Sequence, residues 1–153
     1  GLGKARSKAE FEMLQHVRVL GINAPEPVAY AVKGSLLYHA WLITRQIPEA
    51  RPLSELCLTQ PSEAEKILPS VAEQVGILVS AGIYHVDLHP GNVLADARGN
   101  AYLIDFDRAK TGIQNQQKLI QQYVHRWKRA AHKYRLPEFV SDCLGWLAGQ
   151  PGS

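Results

Sequence analysis

Between Ile83 and Lys110, in the stretch IYHVDLHPGNVLADARGNAYLIDFDRAK, His85, Asp87, His89, Asn92 and Asp105 fall at short intervals around two apolar runs and make a candidate active site. Asp87 and Asn92 fall in a segment broken by Pro90 and Gly91, which places both on one loop. After it, Val93-Leu94-Ala95 and Ala101-Tyr102-Leu103-Ile104 read as two strands joined by the turn-forming Asp96-Ala97-Arg98-Gly99-Asn100. Such a hairpin carries Asp105 back beside Asn92. An amide oxygen and a carboxylate suit a hard divalent cation such as Mg²⁺, which takes oxygen ligands and shares them with phosphates. A further carboxylate at Asp87 would orient a hydroxyl and accept its proton, a division of labour that serves phosphoryl transfer.

At these residues the chain resembles the kinase superfamily. His85-x-Asp87-Leu88-x-x-x-Asn92 resembles the catalytic loop, and Ile104-Asp105-Phe106-Asp107 occupies the place of the metal-binding DFG segment. His89 stands where protein kinases commonly carry Lys, and Asp107 replaces the glycine of DFG; both departures point toward the small-molecule and lipid-sugar branch. Within that branch, His-x-Asp-Leu, Asn-x-Leu and Leu-Ile-Asp-Phe-Asp-Arg are similar to the bacterial 3-deoxy-manno-octulosonic acid (Kdo) kinases and the wider lipopolysaccharide core kinase family. Glu10-Phe11-x-x-Leu14, Gly21-Ile22-x-x-Pro25-x-Pro27-Val28-Ala29 and Leu42-Ile43-Thr44 extend the likeness over about residues 1–135.

The resemblance implies an α+β, protein-kinase-like fold with a truncated N-lobe sheet and a mostly helical C-lobe. Residues 1–47 would supply the remaining N-lobe elements and the hinge, 48–148 the C-lobe with the catalytic loop and metal-binding hairpin, and 149–153 a tail. It implies ATP and Mg²⁺ as cofactors, with Asn92 and Asp105 on the metal, Asp87 as base, and His89 as an imidazolium facing the transferred phosphate. Glu10 matches the helix glutamate that pairs with a nucleotide-binding lysine. Arg45, Gln46 and Ile47 lie where the family's backbone meets adenine, with Arg45 replacing the usual acidic residue. His85 is expected as a buried spacer, and Asp107 either helps the metal or caps the turn before Arg108.

The implied acceptor is a hydroxyl of Kdo in the lipid A and inner-core precursor, at the cytosolic face of the inner membrane. A core heptose, an aminoglycoside or choline are alternative acceptors, and a degenerate kinase-like binding module is an alternative from another class. Only nine residues precede Glu10, too few for a glycine-rich loop and a strand lysine. Gly1-x-Gly3-Lys4 does not fit GxxxxGK(S/T) either. The chain is therefore expected to be a carboxy-terminal portion of a longer protein that binds nucleotide poorly by itself.

At 153 residues and 46% hydrophobic content the chain can build one domain with a real core. No apolar run reaches the 18 or so residues that cross a bilayer, and no signal-peptide pattern opens it, so a cytosolic location is the default. Cys57 and Cys143 lack CxxC spacing, which argues against a zinc site or a disulfide framework. His85, Asp87 and His89 at alternate positions would suit a zinc-binding strand face, but Pro90-Gly91 directly follows and Asn92 and Asp105 would have no role. The formal charge of +3 is mild. Its distribution is not, because Arg108, Lys110, Lys118, Arg126, Lys128, Arg129, Lys133 and Arg135 share a stretch with no acid after Asp107. That favours anionic partners such as a membrane surface or a glycolipid, not nucleic acid. Nothing in the sequence sets an oligomeric state.

An amphipathic helix over 7–20 carries Phe11, Leu14, Val17 and Leu20, with Ser7 and Glu10 as a capping box and Gly21 as its end. Strands at Val28–Val32 and Leu36–Ile43 are joined through Lys33-Gly34-Ser35, and a linker bounded by Pro48 and Pro52 follows. A short helix spans Leu53–Leu58. The next, with a second capping box at Pro61-Ser62 and Glu65, runs to Ser80 and turns Ile67, Leu68, Val71, Val75 and Leu78 inward; Pro69 should kink or restart it. A long helix over Gln114–Arg135 carries a basic face, 118–135, suited to anionic lipid, and a short one around Phe139–Leu147 closes the chain.

Overall fold

The computed structural model describes residues 2–34 and 39–149. The expected reversal at Ser35, the start of the second strand at Leu36 and most of the 149–153 tail lie outside them. Helix α1 (Leu2–Val19) leads into strands β1 (Pro27–Lys33) and β2 (His39–Thr44). These pair antiparallel, Tyr30 opposite Leu42 and Ala31 opposite Trp41, with a bulge between Pro27 and Ala29. The short strand β3 (Arg51–Pro52) precedes helices α2 (Leu53–Thr59) and α3 (Pro61–Ser80). A 3-10 turn at Pro90–Asn92 leads into the hairpin β4 (Val93–Ala95) and β5 (Ala101–Leu103), and β3 adds to its open edge. Helices α4 (Gln116–Lys133), α5 (Glu138–Asp142) and α6 (Gly145–Ala148) complete the chain.

One buried cluster unites these elements. Leu14 and Val17 of α1, Val71, Val75 and Leu78 of α3, Val93 and Leu103 of the hairpin, and Leu119, Tyr123 and Trp127 of α4 all belong to it. Each large apolar side chain removed from water there contributes about 1.5–3 kcal/mol. The inward stripe expected for α3 is the buried face of that helix. Beneath the hairpin a buried polar junction takes the place of apolar packing. The Gln74 amide oxygen accepts from the Asn23 backbone N–H at 2.8 Å while its nitrogen donates to the Ala101 carbonyl at 3.1 Å. The Asn23 carbonyl in turn accepts from Leu103 at 2.8 Å. The segment after α1 is thereby fixed to the hairpin.

Several boundaries differ from the sequence expectation for identifiable reasons. Helix α1 begins before Ser7, so Ser7 lies buried inside the helix and forms no capping box. At α3 the N-cap position is Gln60, with no side-chain cap bond, and Pro61 opens the helix at a position where its missing N–H costs nothing. Pro69 neither ends nor restarts α3. It lies on the exposed side, where water can replace the hydrogen bond its ring removes. Helix α4 is capped by Asn115, whose side chain accepts from the Lys118 N–H at 3.0 Å. The closing segment is two short helices instead of one. Trp127 Nε1 donates to the Val140 carbonyl at 2.7 Å and draws the first of them against α4.

Candidate active site

The loop between α3 and the hairpin is fixed at its entrance by backbone. Gly82 takes φ +66°, and a Cβ there would stand 2.7 Å from the Ile113 carbonyl oxygen, so this position admits only glycine without strain. Tyr84 and Lys110 exchange both backbone hydrogen bonds, at 2.8 and 2.9 Å. Tyr123 of α4 reaches under the loop, its hydroxyl between the backbones of Ile83 and His85. Burial pushes the Tyr123 phenol well above its ordinary range, so the hydroxyl keeps its proton and serves as a fixed strut.

His85 is only 1% exposed and packs its ring against Phe106 at 4.5 Å between centroids. Its Nε2–H donates to the Ile104 carbonyl at 2.8 Å. Burial lowers its pKa, so the ring is a neutral internal brace. Three further bonds fold the loop onto the hairpin. Asn92 Nδ2 donates to the Asp87 carbonyl at 2.9 Å, the Asn92 N–H donates to the His89 carbonyl at 2.8 Å, and the Ile104 N–H donates to the Asn92 carbonyl at 3.0 Å. The last of these holds Asp105, one residue on, beside the loop. Asp105 itself is exposed with φ +66°, a left-handed conformation uncommon for a residue with a side chain. Among the described residues its carboxylate takes no hydrogen bond or ion pair.

The Asp87 carboxylate, about one-fifth exposed, is held by two arginines. Its Oδ1 accepts from Arg126 Nη2 at 3.0 Å and lies 3.6 Å from Arg108 Nη1. The sequence places Arg126 among the cations on the basic face of α4, and in the structure this guanidinium is paired with Asp87, a contact the sequence reading did not include. Position 126 flanks the buried 119-123-127 seam of α4 on the side of the loop, so its guanidinium turns to Asp87. His89 also differs from expectation. Its Nδ1 accepts from the Gly91 N–H at 3.0 Å, which leaves the proton on Nε2. Burial first, and then the nearby Arg126, lower its pKa, so the neutral ring and not the expected imidazolium is the favoured form.

Asp107 forms a two-pronged ion pair with Arg6 of α1, a cation the sequence reading gave no role. The Arg6 hydrogen bond holds the Asp107 carboxyl below its usual range. Glu10, one helical turn on, is half-buried and faces Asp107 and Asp105; burial first, and then these two carboxylates, raise its pKa. Glu10 and Asp105 line a cleft of about 550 Å³ together with Leu42, Arg45, Gln46 and Ile47. The structure thus brings Glu10, the 45–47 segment and Asp105 to one opening. Arg45 has its guanidinium on Glu26 at 2.7 Å and its N–H on the Glu26 carbonyl at 2.8 Å. Asp87, His89 and Asn92 lie outside that lining.

The donor set fits a hard divalent cation. Asn92 has spent its Nδ2 on Asp87, so its oxygen is the side-chain atom left to bind, and the Asp105 carboxylate would be a second ligand; Mg²⁺ commonly completes such a shell with phosphate oxygens and water. The zinc arrangement of His85, Asp87 and His89 does not form. His85 Nε2 is on a carbonyl, His89 Nδ1 is on an amide, and no cluster of three His, Cys, Asp or Glu ligands gathers among the described residues. Arg6, Gln74, Tyr123 and Arg126 are the supporting residues that sequence reasoning missed as polar partners. Only for Arg126 did a signal exist, its place beside the apolar seam of α4.

The model of the lipopolysaccharide kinase (Kdo/WaaP) family matches residues 1–140. The chain belongs to this family. Among Kdo/WaaP relatives, the 3-deoxy-D-manno-octulosonic acid kinase of Vibrio cholerae serotype O1 is 33% identical over 134 residues, 87% of this chain and 56% of the relative. The enzyme of the same name from Vibrio vulnificus strain CMCP6 is 32% identical over 136 residues, 88% and 56%. The chain thus spans about half the length of these relatives. Among solved structures it is similar to WbdD in co-crystal with a kinase inhibitor, with TM-score 0.56 and 25% identity over 94% of this chain and 37% of WbdD. The bifunctional kinase-methyltransferase WbdD gives TM-score 0.53 and 26% identity over 97% and 37%. The kinase-like fold of this Kdo/WaaP chain, mostly helical around two small sheets, is established by these likenesses and by its own topology.

Proposed function

We propose that this chain carries the chemical site of an ATP-dependent phosphotransferase whose acceptor is a hydroxyl of Kdo in the lipid A and inner-core lipopolysaccharide precursor. The observation that carries the reading is the 3.0 Å bond from Ile104 to Asn92, which ties the Asp105 segment to the loop bearing Asp87. The names of the two Vibrio relatives support the choice of acceptor.

In this reading ATP enters the cleft beside Glu10, with Gln46 and Ile47 meeting the base and Arg45 anchored on Glu26. Asn92 and Asp105 would hold Mg²⁺, which when bound supplies charge neutralisation to the phosphates. Arg126 and Arg108 fix one oxygen of Asp87, and the other orients the acceptor hydroxyl and takes its proton as the oxygen attacks the γ-phosphorus of ATP in line, the bond to the bridging oxygen breaks and ADP leaves. His89, neutral with Nε2–H outward, donates a hydrogen bond to the transferred phosphate. No described helix is long and apolar enough to cross a membrane; a peripheral position on the cytosolic face of the inner membrane would bring the site to a lipid-anchored acceptor.

The test is transfer of label from γ-labelled ATP by the full-length protein to a panel of Kdo-lipid A, heptose-bearing core, aminoglycoside, choline and protein. Label on Kdo is the expected result. Label on another acceptor alone, or on none, refutes the reading.

A further inference from the structure

The structure holds a second hollow, larger than the cleft of Glu10 and Asp105. It lies on the polar side of α4, has a volume of about 900 Å³, and is lined by His89, His125, Arg126, Arg129, His132 and Lys133, with Tyr84 and Tyr134 as its aromatic walls. No carboxylate lines it. A concave surface carrying Arg129, Lys133 and the Asp87-paired Arg126 beside three imidazoles, with no carboxylate in its own lining, focuses positive potential and favours an anion. Arginine at two of those positions offers planar, two-pronged recognition of an oxyanion.

The hollow also adjoins the chemistry. Arg126 lines it and at the same time donates to Asp87 Oδ1 at 3.0 Å. Its Nε is buried with no partner among the described residues. His89, from the loop, forms the shared wall, its ring 6.1 Å from that of Tyr134. A group seated here would lie next to Asp87 and away from the Glu10–Ile47 cleft.

We infer that this hollow is the acceptor subsite, and that it holds an oxyanion substituent of the acceptor through Arg126, Arg129 and Lys133, so that the reacting hydroxyl is presented to Asp87. The inference rests on the phosphotransferase reading for the word acceptor, but not for the binding of an oxyanion. The oxyanion is the carboxylate of an acidic sugar or a phosphate ester on the same glycolipid. In either case the arginine shared with Asp87 makes recognition of the acceptor and placement of the base one event.

The test uses the full-length protein without ATP and measures equilibrium binding of free Kdo, its methyl ester and inorganic phosphate, in wild type, in the double variant Arg129→Gln/Lys133→Gln and in Lys66→Gln as a charge-loss control on α3. Kdo binding that weakens tenfold or more both on esterification and in the double variant, with Lys66→Gln like wild type, supports a carboxylate subsite. Binding of phosphate alone, weakened in the same variant, supports a lipid phosphate as the source. Equal binding of all probes by wild type and double variant, or an equal loss in Lys66→Gln, overturns the subsite. In turnover assays the double variant should raise KM for the acceptor with little change in kcat; a loss confined to kcat also overturns it. If no acceptor is phosphorylated by wild type while the binding pattern holds, the transferase reading fails and the oxyanion site stands.

Discussion

The Tyr123 hydroxyl accepts the backbone N–H of His85 at 2.7 Å and donates to the carbonyl of Ile83 at 2.8 Å. One side chain of α4 thus satisfies two buried backbone groups of the loop that carries Asp87. Tyr123→Phe would leave both without a partner in a dry setting, and buried polar groups so stranded cost about 1–3 kcal/mol. Denaturant melts should show a loss of that size with an unchanged slope. Phosphoryl transfer in the full-length protein should fall as well, because the loop backbone loses its strut.

Asp87→Asn keeps the shape of the loop and removes the proton acceptor. General-base catalysis is worth about 10²–10⁴-fold, so transfer to the acceptor should drop by that factor while the thermal melt barely moves. Asp105→Asn should also abolish most transfer, and raising Mg²⁺ should restore part of it. Normal turnover in either variant contradicts the roles proposed for them.

The acid Glu10 gives a prediction with a defined sign. Its folded pKa is raised above the ordinary 4.5 by burial and by Asp107 and Asp105, so the folded state binds this proton more tightly than the unfolded chain does. The stability it contributes is complete below about pH 4.5 and is lost as pH rises through the folded value. Glu10→Gln should therefore match wild type in acid and melt at a higher temperature at pH 7–8. Identical melting curves at both pH values would contradict the burial assigned to this carboxyl.

His85 and His89 act in the opposite direction. Both have folded pKa values lowered from 6.5, so the unfolded chain binds their protons more readily. Their contribution is complete above about pH 6.5 and is lost as pH falls through the folded values. Melting temperature should decline between pH 7 and pH 5.5, and His89→Gln should make that decline shallower; a decline as steep as wild type would count against a disfavoured imidazolium.

Gly82→Ala places a methyl 2.7 Å from the Ile113 carbonyl at φ +66°. Strain and crowding of this kind cost roughly 1–3 kcal/mol. The loss should appear in denaturant melts together with reduced turnover, since the loop entrance must shift. Gly99→Ala, with positive φ but open space around it, should cost less.

What could be read in the sequence was local. Pro90-Gly91 and the Asp96–Asn100 turn announce the loop and the hairpin, and Asp96 does bond the Arg98 and Asn100 amides at 2.9 Å. The stripe of α3 and the seam of α4 follow from 3.6-residue spacing. The contacts that orient the acids were not legible, because they join residues far apart along the chain: Arg126 to Asp87 across 39 positions and Arg6 to Asp107 across 101. Sequence spacing carries no record of such pairs. The capping boxes failed for another reason. Ser7 and Ser62 fit the local pattern, yet α1 already begins at Leu2 and Pro61 opens α3 before the second.

Asp105 sits in a backbone conformation that glycine adopts freely and aspartate does not. A library of this protein selected only for heat resistance should therefore enrich glycine or asparagine at position 105, and the survivors should be hardy and inert. Selection for growth and selection for durability would pull this single codon in opposite directions.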